Sequence, residues 1–173
     1  MKLMKRWMSF ICLLSTLVMA SAHADDTLSQ VEKRGSVRIG VLTDFPPYGF
    51  VGPDLKPQGR DIELARYLAS KLGVKPDLVV VQSANRIAAL QANKVDILVA
   101  SMAKSPDREK VVDFTAPYSP YYQAIYGPKS ISVKSFADLA GKTVAVARGT
   151  TQDENLQAVA PKTTQILRFE SST

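Results

Sequence analysis

Arg108 stands in the stretch SMAKSPDREKVVDFTAPY, seven residues beyond Ser101, the small polar residue that ends the apolar run VDILVA. A planar guanidinium in that position can grip a carboxylate through two parallel hydrogen bonds. SPDREK can begin a helical turn that returns the side chain toward the strand end. The same arginine also fits a solvated charge in the patch KSPDREK. A second anion-binding feature is RGTTQDENL, which follows KTVAVA. Gly149 permits close backbone approach, and Thr150 and Thr151 stand at a helix start, where free N–H groups and the helix dipole favour an anion. Ordinary capping by threonine is the alternative there. Together, the arginine and the helix start could clamp one carboxylate between them.

Phe45 and Tyr48 in DFPPYGF are aromatics on a stiff loop, suited to core packing or to the apolar wall of a small-molecule pocket. Arg86 in SANRIAAL falls in the first turn of a helix, where a cation opposes the dipole. It therefore calls for a specific partner, either a neighbouring aspartate or a second ligand carboxylate. Asp61 and Glu63 are two residues apart at a helix start and do not face each other, so favourable dipole placement explains them better than acid–base work.

Composition narrows the chemistry. MKLMKRW places Lys2, Lys5 and Arg6 before the apolar run WMSFICLLSTLVMA and the small-residue stretch SAHA. This order is that of a secretory signal peptide covering residues 1–24, with cleavage after Ala24 and delivery to the periplasm. Its apolar run is short for a membrane span. Removing it takes three basic residues and no acidic one from a formal charge of +6, too little to leave the dense basic stripe of a nucleic-acid binder. Cys12, His23 and Trp7, each the single residue of its type, go with it. The expected mature protein has no disulfide, no thiol or imidazole nucleophile, and no His/Cys metal site.

The elements that must position these residues alternate. DDTLSQVEKRG reads as a helix stopped by Gly35, VRIGVLT as a buried strand, and DFPPYGFVGPDLKPQG as loop and turn without regular structure. RDIELARYLASKLG has helical spacing, DLVVVQ is a strand, Ser83 N-caps the helix ANRIAALQANK, and VDILVAS is a strand. Such alternation predicts an α/β fold with parallel strands, helices on the sheet faces, and a ligand crevice at the carboxyl ends of the strands. After the aromatic, β-rich YYQAIYG the alternation restarts: SFADLAG as a short helix, KTVAVA as a strand, RGTTQDENLQAVAP as turn plus helix, and TQILRF as a strand. The expected division is residues 25–126 as a first lobe and residues 127–173 as the start of a second.

The segments GRDIELARYLASKLG, NRIAALQANKVDILVASMAKSPDREKVVDFTAPY and FADLAGKTVAVARGTTQ resemble the periplasmic solute-binding proteins of polar amino-acid ABC transporters, bacterial family 3. The resemblance implies a two-lobed Venus-flytrap fold of periplasmic-binding-protein type II, with the second lobe incomplete and the sequence truncated toward its C-terminus. It implies a monomer without cofactor or metal that captures a polar amino acid, acidic ones included, and delivers it to a membrane permease. By the same resemblance Arg108 binds the ligand α-carboxylate, Ser101 lines the site, Thr151 helps hold the carboxylate, and Phe45 covers the ligand side chain. Arg86 resembles an arginine of the glutamate/aspartate-binding branch that related binders of other amino acids also carry. Two positions depart from the pattern: Ala103 replaces a usual Ser or Thr, and Arg60 a usual aromatic. The family also continues well beyond Thr173, where its α-amino-binding aspartate lies. Alternatives on the same resemblance are an enzyme such as a cyclohexadienyl dehydratase, and a truncated product that binds nothing well.

Overall fold

The computed structural model describes residues 26–172; the expected signal peptide lies outside them. Helix α1 (Thr27–Arg34) buries Val31 and stops at Gly35, whose φ of 67° lets its N–H reach back to the carbonyls of Val31 and Glu32. Strand β1 (Ser36–Val41) follows, and it is the centre of the first sheet. Three short strands come next: β2 (Asp44–Phe45), β3 (Gly49–Val51) and β4 (Pro57–Gln58). Helix α2 (Arg60–Lys71), β5 (Lys75–Val80), helix α3 (Arg86–Gln91) and β6 (Ile97–Leu98) complete the first alternation.

The first sheet has the order β5-β1-β6, all parallel, as the alternation predicts. Ser36 registers with Lys75 and Ile39 with both Leu78 and Ile97. Pro76 lies inside β5, which is tolerable because β5 is an edge of the three strands. Gly40 lets β6 come close: a Cβ there would lie 2.6 Å from a Leu98 methyl. Ile39, Val41, Ile62, Ala65 and Ala69 are fully buried and, with Val31, Val37 and Val99, make the core between β1 and the apolar stripe of α2.

Two expectations are corrected. DFPPYGFVGPDLKPQG is not wholly irregular, since β2, β3 and β4 form a small antiparallel sheet in that order. Ser83 does not cap α3; it begins a 3-10 turn (Ser83–Asn85), and Asn85 is the residue that precedes the helix.

Helix α4 (Pro106–Glu109) leads into residues 113–135, which carry no helix or strand. A 3-10 turn (Phe136–Leu139) is closed by a capping box between Ser135 and Asp138. It precedes β7 (Thr143–Ala147), helix α5 (Thr151–Val159) and β8 (Gln165–Phe169), with β7 and β8 paired in parallel.

Candidate functional site

Two buried arginines hold the turn that leaves β6. Arg86, the first residue of α3, is 3% exposed. Its Nε donates to the Ser83 carbonyl (2.9 Å), Nη1 to Ala100 (2.8 Å) and Nη2 to Gly149 (3.0 Å). The partners that its helix-start position calls for are therefore three backbone carbonyls and not a neighbouring aspartate. Burial, then the charge of Arg108, lowers its pKa to about 10, so it stays cationic at neutral pH.

Arg108 is buried too, which removes the solvated-charge alternative. Pro106 opens α4, and the Ser105 hydroxyl caps it by accepting from the Arg108 N–H at 3.4 Å. The guanidinium then points across the molecule. Nη1 donates to the Ala103 carbonyl (2.7 Å) and to Thr151 Oγ1 (3.2 Å), while Nη2 donates to the Gly149 carbonyl (3.3 Å) and to Glu154 Oε1 (2.8 Å). The arginine and the helix start do converge, and the carboxylate they hold here is that of Glu154, whose side chain is 48% exposed.

Gly149 is where the two segments meet. Its φ is +70°, and a Cβ on it would lie 2.7 Å from Ala84 Cα. Thr150 plays the capping role: its hydroxyl donates to the Ala147 carbonyl (2.8 Å) and accepts from the Asp153 N–H (3.2 Å), leaving Thr151 as the threonine that meets Arg108.

Phe45 stacks on Tyr48 with centroids 5.4 Å apart, and Tyr48 meets the edge of Tyr121 at 6.4 Å. Arg60, in place of the usual aromatic, lays its guanidinium 4.4 Å over the Tyr48 ring. Tyr48, Arg60, Ser101, Tyr118 and Tyr121 share the wall of a cavity of about 670 Å³. The Tyr118 hydroxyl is pushed up to about 12 by burial and by the charge of Asp61.

Asp61, which the sequence reading explains by its place at a helix start, has a side-chain partner that reading does not name. It is 1% exposed, and its Oδ2 accepts the Ser101 hydroxyl at 2.6 Å. Ser101 itself sits at φ 48° and directs its N–H to the Tyr118 oxygen at 3.4 Å. The available signal was weak: a carboxylate in the first turn of a helix has a sufficient local explanation, and its true partner lies 40 residues away. Among the described residues no cluster of three or more His, Cys, Asp or Glu could hold a metal, and no helix is long and apolar enough to cross a membrane.

The family model for bacterial extracellular solute-binding proteins, family 3, matches residues 37–168. Over 151 residues the chain is 34% identical to a glutamine-binding protein of Geobacillus stearothermophilus, a match covering 84% of this chain and 57% of that protein. It is 30% identical over 159 residues to the L-cystine-binding protein TcyJ of Escherichia coli, covering 88% of this chain and 60% of the relative. Among solved structures it superposes on the ancestral amino acid-binding protein AncCDT-1, a precursor of cyclohexadienyl dehydratase, with a TM-score of 0.79 and 37% identity, over 84% of this chain and 66% of that one. The chain thus spans less than two thirds of the length of the curated relatives it matches.

Proposed function

The chain belongs to the bacterial extracellular solute-binding proteins, family 3, with the type II periplasmic-binding fold, and we propose that it captures a polar amino acid for an ABC transporter and passes it to a membrane permease. The single observation that carries this reading is the placement of Arg108. A buried guanidinium spans the gap between the β6 turn and the start of α5, and its carboxylate partner among the described residues is a half-exposed side chain. A ligand α-carboxylate can take the place of Glu154 on Nη2 while Thr151 and the Ala103 carbonyl keep the guanidinium aimed. Phe45 and Tyr48 supply the aromatic cover, and residues 25–126 and 127–173 act as the two lobes that one ligand draws together. The dehydratase alternative draws nothing from the site, and the relatives named above are described as binding proteins.

A thermal-shift screen against L-glutamine, L-cystine, L-arginine and simple dicarboxylates tests the proposal. Stabilisation of about 2.7 kcal/mol is expected at about a hundredfold excess over the dissociation constant. Arg108→Ala should abolish most of that shift, since removing one member of a buried charge pair costs on the order of 2–5 kcal/mol. A shift from one of these compounds that survives Arg108→Ala unchanged would overturn the assignment of Arg108.

A further inference from the structure

We propose that Arg60 sets the charge selectivity of the cavity: its guanidinium receives a ligand side chain that ends in a carboxylate and turns away one that ends in a cation. The class of ligand is then an acidic amino acid. The inference rests on the amino-acid reading above and adds to it the charge of the ligand's far end.

The backbone beneath Arg60 fixes its position. The Arg60 N–H donates to the Pro47 carbonyl at 3.2 Å, and the Asp61 N–H to the Tyr48 carbonyl at 2.8 Å. Gly59, at φ +117°, lets the two segments touch, since a Cβ there would lie 2.4 Å from the Tyr48 carbonyl oxygen. The start of α2 is thereby tied to the loop that carries Tyr48, and the Arg60 guanidinium lies 4.4 Å over that ring. Tyr48 is itself braced by Phe45 and Tyr121.

Local physics argues against a cation at this place. Arg60 is the first residue of α2, where positive charge opposes the helix dipole. It is exposed, and no ion pair among the described residues includes it. A ring face attracts the guanidinium but supplies no carboxylate, so its fork of N–H donors lacks the partner that it fits best. Asp96, Lys104 and Asp113 also line the cavity. Asp96 is held by Arg34 and Arg38, and Lys104 by Glu109. The charges left to oppose Arg60 are therefore Asp113 and, behind Ser101, the buried Asp61. Of these three, Arg60 is the one in contact with the aromatic pair proposed to cover the ligand side chain. A cation there attracts a carboxylate and repels a second cation.

The test is calorimetric titration of the whole chain, of Arg60→Gln and of Arg60→Phe with L-glutamate, L-glutamine, L-arginine and L-cystine. Glutamate and glutamine have nearly the same shape and differ in charge, so the ratio of their affinities reads charge alone. The unaltered protein should bind L-glutamate about tenfold more tightly than L-glutamine, the difference between a charge-assisted and a neutral hydrogen bond, and L-arginine more weakly than either. Both variants should bring the glutamate-to-glutamine ratio to within about twofold, because neither offers a charged donor, and both should tighten L-arginine. Arg60 is exposed and opposes the helix dipole, so neither substitution should lower the Tm. A tenfold ratio that survives in the variants would overturn the assignment to Arg60. L-glutamine, L-cystine or L-arginine bound more tightly than L-glutamate by the unaltered protein would overturn the inference and leave the amino-acid reading standing; a preference for L-arginine would give the sign of the cavity to Asp113 or Asp61. Binding of no amino acid overturns that reading and this inference with it.

Discussion

The sheet built on β1 and the pair β7–β8 are both parallel and both flanked by a helix, yet they are held in different ways. In the first, alternate residues of β1 and one face of α2 vanish into a shared core, with Ile39, Val41, Ile62, Ala65 and Ala69 fully buried. In the second, no residue of β7 or β8 is buried, and the apolar side chains that are, Leu139 and Leu156, lie outside the strands. Parallel sheets normally hide both faces under helices, and two strands alone are marginal. What places the second pair against the first region is polar: the Gly149 carbonyl, Thr151 and Glu154 on two arginines. Apolar packing holds one region together, and hydrogen bonds position the other, most of them at the knuckle around Gly149 and one more from the Ser172 N–H to Asp44 Oδ2 at 3.0 Å.

The sharpest way to break this contrast is to cut the two cores in parallel. Ile62→Ala should cost about 2–5 kcal/mol, and Leu156→Ala should fall near the low end of that range because its surroundings can collapse. Equal losses in urea denaturation followed by far-ultraviolet circular dichroism would show that the second region has a core of its own. Next in size, Gly149→Ala forces a side chain at φ +70° and into Ala84, and should cost about 1–3 kcal/mol. Hydrogen exchange should then rise over residues 143–169 and stay unchanged over β1 and α2.

A smaller effect belongs to the first region alone. Burial would raise the Asp96 carboxyl, but hydrogen bonds from the Arg38 side chain and N–H, with the charges of Arg38 and Arg34, outweigh it and hold the pKa below the usual range. A depressed folded-state pKa gives stability that is present above the unfolded value and lost as pH falls through the folded one. Asp96→Asn should therefore cost about 1–2 kcal/mol at neutral pH, and its gap to the unaltered protein should close below about pH 4 in thermal melts. A gap that persists at acid pH would place its origin in packing.

Least of all, Glu154→Gln removes the half-exposed carboxylate from Arg108. Tightening of L-glutamine or whichever screened compound binds should be about 0.5–1 kcal/mol, a gain of about two- to fivefold, because water at the half-exposed Glu154 end of the pair screens its hold on the buried Arg108.

What the sequence made legible follows the same division. Periodicity marked α2 and its stop, and alternation marked the parallel order, because both report apolar burial over many residues. The small sheet β2-β3-β4 was missed because strands of two or three residues carry no alternation to read, and Pro46, Pro47 and Pro57 argue for loops. Arg86 could be flagged as needing a partner, but backbone carbonyls have no residue type, so the partners themselves could not be named. Arg108 was found through its position after a strand end, whereas its link to Glu154 depends on a crossing of 46 residues that no local pattern records.

Gly149 presents one oxygen to two guanidinium groups rooted in different helices, Arg86 in α3 and Arg108 in α4. In mechanical language this is a pin shared by two struts, and two struts meeting at a pin form a triangle that resists shear. Pulling β7 away from β1 would load both bonds together; after the loss of Arg108, which also holds Thr151 and Glu154, the same pull would begin as a swing about Arg86, whereas the loss of Arg86 would leave Arg108 with three holds.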